Sequence, residues 1–351
     1  MECIKLFDKN NKNGGILFPC IIILIMFSGF AGYSQVSRLN KSERDSLKAV
    51  PYPYKLPIFG QKVRNKGIDF PLPLGFMVNY IHQKTEINIE DPRIALGGSD
   101  MVSIDFVEFE PVVNHTNVVN FRADAWIFPF LNVYGIYATS RTNSIVKLRF
   151  PINLDIKRTP TADTYGFGTV LAYGMGDYFA VANLNYSWSH TSALDEPVEG
   201  RLISARIGKS FELGGKNQSI NASIGIQNQK ITRDSSGELS IGEIFEFFDQ
   251  ENLDDLKDQI SSSAQNWYDE LSLPQKVVVD QLVDILEDKV NGVDVSDIPL
   301  RYNFDKVPIG EWSFQLGVQY NHNKHWWFRV EAGIGRGRQQ LITSVNYRFG
   351  L

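Results

Sequence analysis

The sequence predicts an all-β membrane barrel of about twelve antiparallel strands, interrupted by one acidic α-helical insertion. Three observations carry that expectation. Apolar and polar residues alternate with period two along most of 75–230 and again along 312–351. The alternating segments run about ten residues or more, whereas soluble strands average roughly five or six and a tilted membrane-spanning strand needs ~9–11. Their polar faces hold charges in mid-strand while their apolar faces end in Tyr, Trp and Phe, as in a lipid-facing band around a polar interior. Alternation alone would also fit a soluble sandwich, so segment length and charge placement decide.

The chain starts with Lys5, Lys9 and Lys12, followed by an almost purely apolar run over 16–30 and the small residues Gly32 and Ser34. That order is a signal peptide over 1–34, cut after Ser34; its apolar core is shorter than the ~20 residues a spanning helix needs. Both cysteines, Cys3 and Cys20, lie within it, which leaves the mature chain without a thiol. No other long apolar run exists, which excludes a polytopic helical membrane protein. A net charge of −5 provides no whole-chain basic field, so no nucleic-acid partner is expected.

Residues 35–74 form a Pro-rich lead-in: Pro51, Pro53, Pro57, Pro71 and Pro73 are interleaved with Tyr52, Tyr54 and Phe59. Proline at that density prevents ladder pairing, and an extended tether is expected. Barrel strands 1–9 are expected within 75–230, at about 75–84, 102–110, 117–127, 131–140, 144–156, 164–174, 178–190, 201–211 and 218–230. Strands 10–12 follow within 312–351, at 312–321, 325–335 and 340–350, and 300–306 offers one further segment. In 117–127, Val119, Phe121 and Ala123 oppose Asn120, Arg122 and Asp124; in 312–321, Phe314, Leu316 and Val318 oppose Ser313, Gln315 and Gln319. With an even count both termini share one side. Tight turns at 141–143, 175–177, 214–215 and 322–324 then fall on that side, and long connections at 85–101, 191–200 and 231–311 on the other. Phe128-Pro129-Phe130 and the short 336–339 turn are exceptions on the long-loop side.

A leader ending Tyr33-Ser34-Gln35, ten-residue amphipathic strands, and a last segment reading Ser344-Val345-Asn346-Tyr347-Arg348-Phe349-Gly350-Leu351 resemble Gram-negative outer-membrane β-barrel proteins of Bacteroidota type. The resemblance implies a bacterial outer-membrane location after signal cleavage, with the lead-in in the periplasm. It also implies outer-membrane lipids as surroundings, and recognition of the C-terminal strand, through Leu341, Thr343, Val345, Tyr347, Phe349 and Leu351, by the barrel-assembly machinery.

The loop 231–311 breaks the pattern. Within 242–298, Leu253, Leu256, Ile260, Ala264 and Trp267 recur at helical spacing, as do Val279, Leu282, Val283, Leu286 and Val290. Pro274 sits in the first turn of the second helix and Gly292 follows it, the expected start and stop signals. This stretch holds 15 Asp or Glu against 3 Lys, a net −12, which leaves +7 for the rest of the chain.

Arg122, Lys147, Arg149, Arg206, Arg329 and Arg348 are all assigned to inward faces, against carboxylates such as Asp124, Asp155 and Glu331. A cationic lumen favours anions, so a channel or transporter for a small anionic solute is expected. Trp188, Trp312, Trp326, Tyr347 and Phe349 are assigned to the interfacial aromatic girdle. A non-conducting barrel for adhesion, envelope integrity or partner binding is the alternative, its arginines paired in a filled interior. A third reading, a lipid-modifying hydrolase, rests on His190 and Ser192 with Asp195 or Glu196, a pair too short to be specific. His322 and His325 lack a third ligand, and the acids near Asp294 and Asp297 lack a calcium loop's spacing, so no metal, cofactor or catalytic residue is assigned.

Overall fold

The computed structural model describes residues 41–150, 154–192, 194, 196–214, 217–232, 234–242 and 267–351. The signal peptide expected over 1–34 and the first helix expected around 253–264 lie outside them. The strands are β1 (Leu74–Leu96), β2 (Val102–Ser103), β3 (Glu108–Phe109), β4 (Val112–Phe128), β5 (Leu131–Phe150), β6 (Leu154–Arg158), β7 (Thr161–Met175), β8 (Tyr178–Thr191), β9 (Val198–Glu212), β10 (Ser219–Ile231), β11 (Asp234–Ser240), β12 (Pro299–Pro308), β13 (Trp312–Asn321), β14 (Trp326–Gly335) and β15 (Arg338–Phe349). Among the described residues, α-helices accompany them at α1 (Lys41–Ala49), α2 (Gly60–Arg64) and α3 (Leu273–Val290).

Ten strands close a ring in the order β1, β4, β5, β7, β8, β9, β10, β13, β14 and β15, every neighbour antiparallel. The ring closes where β1 meets β15, in unbroken register from Leu74↔Phe349 to Thr85↔Arg338. Closure removes the unpaired edges that an open sheet of these long strands would leave.

Ten strands replace the expected twelve for two physical reasons. Residues 141–143 contain neither Gly nor Pro, and they stay in the ladder: Arg141 pairs with Asn117, Thr142 with Thr116, Asn143 with His115. The expected strands 131–140 and 144–156 are therefore one long β5, which returns as β6. The segment 102–110 contributes only the two-residue β2 and β3, outside the ring. With those two removed, Phe128-Pro129-Phe130 moves to the end that holds the termini. The turns between β7 and β8 and between β13 and β14 are there too, so one exception to the short-turn rule disappears. At Gly176, φ is 63°, the left-handed backbone that the two-residue β7–β8 turn requires.

Exposure separates the faces as alternation requires, with apolar residues outside. Phe167, Ile207 and Leu316 are 55%, 62% and 50% exposed, whereas Asn132 and Gln315 are 1% exposed. A molecule that shows leucine and hides glutamine is inside-out relative to a water-soluble protein. Ten residues of β13 at ~3.4 Å each and ~40° tilt rise about 25 Å, the height of a barrel's hydrocarbon band. Trp188 and Trp312 lie toward the long-loop end, and Trp326, Tyr347 and Phe349 at the end holding the termini. Trp326 packs on Tyr347 at 4.8 Å between ring centres, and Tyr347 on Phe349 at 6.2 Å.

Beyond the ring, β1 continues through a bulge between Glu90 and Arg93, where Asp91 has φ 49°. Its outer half pairs with β12, which pairs with β11, so 85–96 is strand where a loop was expected, and 299–308 is a strand outside the ring. α3 lies across this small sheet, with Leu96, Ile241, Val278, Leu286, Val295 and Leu300 forming its core. Its start and stop match their signals: Pro274 stands in the first turn and Gly292 has φ 81° after the last.

The lead-in is not an extended tether. Its prolines do keep it out of the sheet, but it folds against the barrel end that holds the termini. Tyr52 packs on Phe70 (5.0 Å between ring centres) and donates its hydroxyl proton to the Leu56 carbonyl (2.7 Å). The Ile58 amide donates to the Ile127 carbonyl (2.8 Å), and Lys324 pairs with Asp69 at 2.6 Å. Pro57 and Pro73 are fully buried.

Candidate functional site

One cavity lies inside the ring toward the end that holds the termini, with a volume of about 120 Å³. Arg122 and Asp124 of β4, Arg206 of β9, Arg329 of β14 and Arg348 of β15 converge on it, and Pro71 of the lead-in helps close it. Each projects inward because it occupies the polar parity of its strand.

The charges are unequally paired. Arg348 Nη2 donates to Asp124 Oδ1 (3.1 Å) and its Nε to the Leu72 carbonyl (2.9 Å), while its guanidinium lies 5.0 Å from the Trp327 ring centre. Asp124 Oδ1 also accepts from Asn132 Nδ2 (2.6 Å), and Asp124 Oδ2 faces Arg122 Nε at 3.8 Å. Arg122 donates to Asn132 Oδ1 (2.8 Å) and stacks over Tyr134 at 3.7 Å. Arg206 is paired with Glu331. Arg329 is different: among the described residues its polar contact is with the Met77 sulfur at 4.0 Å, and its Nε has no hydrogen-bond partner there. Four guanidiniums thus face two carboxylates.

Nearer the long loops the interior is rich in amide side chains and holds one further guanidinium, that of Arg338. Gln315 hydrogen-bonds Gln227, Arg338 hydrogen-bonds Gln229, and Gln340 is buried beside them. The barrel interior therefore has two layers, amides around a single arginine at the loop end and four arginines with two carboxylates at the other.

Six of the eight expected lumen residues meet at or beside this cavity: Arg122, Asp124, Arg206, Arg329, Glu331 and Arg348. Lys147 and Arg149 do not. In β5 the inward parity is that of Asn132, Tyr134 and Ala138, so both fall on the opposite face, above the ring. There Arg149 pairs with Glu110 and Asp155, each at 2.7 Å, and Lys147 with Glu110 at 3.3 Å. The hydrogen bond from Arg149 holds the Glu110 carboxyl below the usual carboxylate range. The apolar face of 144–150 is not the lipid face: above the hydrocarbon the alternation reverses its meaning, and Phe150 meets Trp267 at 5.8 Å between ring centres.

Asn132 and Tyr134 escaped the sequence reading, although their even positions in an alternating segment placed them inward. Of the residues weighed for hydrolysis, Asp195 lies outside the described residues. Ser192 Oγ accepts from the Thr161 amide at 3.3 Å, and no hydrogen bond joins it to His190. His325 Nδ1 lies 2.8 Å from the Arg348 carbonyl, and His322 contacts Tyr320. Among the described residues no three His, Cys, Asp or Glu side chains gather as metal ligands.

No family model matches the chain, and no curated protein is similar to it in sequence. Among solved structures it is similar to the β domain of the Bordetella autotransporter BrkA (8% identity, TM-score 0.35, covering 79% of this chain and 100% of that one). It is likewise similar to the outer membrane protein OprG of Pseudomonas aeruginosa (8%, 0.37, 80% and 99%) and to the Ralstonia pickettii toluene transporter TbuX (9%, 0.26, 92% and 96%).

Proposed function

We propose that this protein spans a bacterial outer membrane and passes a small anion through its barrel, with Arg329 the side chain that meets the anion. The carrying observation is the excess of four arginines over two carboxylates around one interior cavity, with Arg329 free of any carboxylate among the described residues. A guanidinium in a water-poor site attracts an oxyanion through charge and paired N–H donors. A cavity of about 120 Å³ has room for an inorganic ion or a short carboxylate. The apolar belt, the girdle residues and the closed ring support membrane residence.

A second reading, a non-conducting barrel, is favoured by the amide layer, where Gln315 and Gln227 close on each other. Planar-bilayer recording of the mature protein in a KCl gradient separates the two. A passing barrel shows discrete conductance with an anion-selective reversal potential, and Arg329→Gln moves that potential toward zero selectivity. A silent bilayer, or selectivity for cations, refutes the conducting reading.

A further inference from the structure

The outer wall is not uniformly convex. Over β8, β9, β10, β13 and β14 it sinks into a groove of about 870 Å³ whose exposed lining is overwhelmingly apolar. The cause is side-chain size: the outward positions Ala180, Ala222 and Ala332 put methyl groups where neighbouring positions carry Ile207, Ile224 and Leu316. The registers set these residues side by side, Ala180 against Ile207, Ile224 against both Ile207 and Leu316, and Leu316 against Ala332. The volume falls within the ~300–1,000 Å³ of sites that hold whole ligands.

Among the described residues that line the groove, Lys209 is the cation. Lys209 pairs in register with Tyr178 beside the β7–β8 turn, at the rim of the apolar belt. Its ammonium lies 5.5 Å from the Tyr178 ring centre and 5.3 Å from that of Phe211, and no carboxylate pairs with it among the described residues. An unpaired ammonium between two rings at the interface, with an alkane-lined trough running from it toward mid-belt, has the chemistry of a phosphate above a hydrocarbon chain.

We propose that this wall binds an anionic phospholipid, the phosphate on Lys209 and an acyl chain along Ala180, Ala222 and Ala332. The site rests on the membrane reading above, and it is independent of conduction through the interior. Elsewhere on the belt large outward side chains such as Phe121, Phe167 and Leu341 stand exposed.

The test is native mass spectrometry of the mature barrel after reconstitution in vesicles of mixed phosphatidylglycerol and phosphatidylcholine and transfer to detergent. Expected are one retained phosphatidylglycerol per barrel, an about fivefold loss of that preference in Lys209→Gln, and weaker retention of both lipids in Ala222→Phe, which fills the groove. Equal retention of the two lipids by the wild-type barrel overturns the proposal, as does an unchanged preference in Lys209→Gln. So does a lipid-free dimer whose contact is lost in Ala222→Phe, which assigns the groove to a second copy. A chain that never inserts into the vesicles removes the membrane reading as well, so the two failures are told apart.

Discussion

Replacing Asp124 by Asn tests whether the interior charges are structurally coupled. The side chain keeps its shape and its place beside Asn132, but two guanidiniums, Arg348 at 3.1 Å and Arg122 at 3.8 Å, lose their counter-charge. At ~3 Å and an effective dielectric near 20, the attraction to Arg348 alone is roughly 5 kcal/mol, much of it offset by the desolvation of both groups. The side chains of Asp124 and Arg348 are 0% and 3% exposed, so the pair is shielded from bulk water. The expected cost is therefore that of a broken buried pair, about 3–5 kcal/mol. The double variant Asp124→Leu/Arg348→Met, which removes both charges together, should lie much closer to wild type for the same reason. The assay is reversible urea unfolding in lipid vesicles followed by tryptophan fluorescence. A single-variant loss under about 0.5 kcal/mol, or a double variant as unstable as Asp124→Asn, would show that the pair is hydrated and the reasoning wrong.

Three other expectations use different parts of the molecule. Leu316→Arg places a cation on the outward face at the middle of β13, and about 2–4 kcal/mol of folding free energy in lipid should be lost; unchanged stability would mean that hydrocarbon does not cover that face. Ser272→Ala removes the residue before α3, whose amide and hydroxyl both donate to Gln275 Oε1 at 2.9 and 2.8 Å. Hydrogen exchange in α3 should quicken by an amount equivalent to about 0.5–2 kcal/mol while exchange in the ring stays fixed. Glu110 is held below its ordinary carboxyl value by Arg149, so the stabilisation it supplies is present above that ordinary value and fades as pH falls through the lowered native one. Proteolysis of the β5–β6 extension should rise over that acid window, and Glu110→Gln should abolish the change.

The helix beyond the ring was as legible as the strands. Val279, Leu282, Val283 and Leu286 at helical spacing, between Pro274 and Gly292, marked α3 because its buried stripe, its start and its stop are all local signals. Its seat was not legible, since Leu96 and Leu300 come to it from strands distant in sequence. Arg329 could be placed inward by counting alone, but its lack of a carboxylate depends on where β4, β9 and β15 put Asp124, Arg206, Glu331 and Arg348.

By itself the sequence separated the two faces of the barrel segments, because a strand repeats every two residues and lipid tolerates only one kind of face. Only the tertiary structure decided how many strands close the ring and where the belt ends. Alternation in 131–140 and 144–150 looks alike in the sequence, yet one stretch has its odd residues in the belt and the other has Lys147 and Arg149 above it. The period is a property of the backbone, whereas the medium each face meets depends on depth in the assembled barrel, which no local pattern encodes.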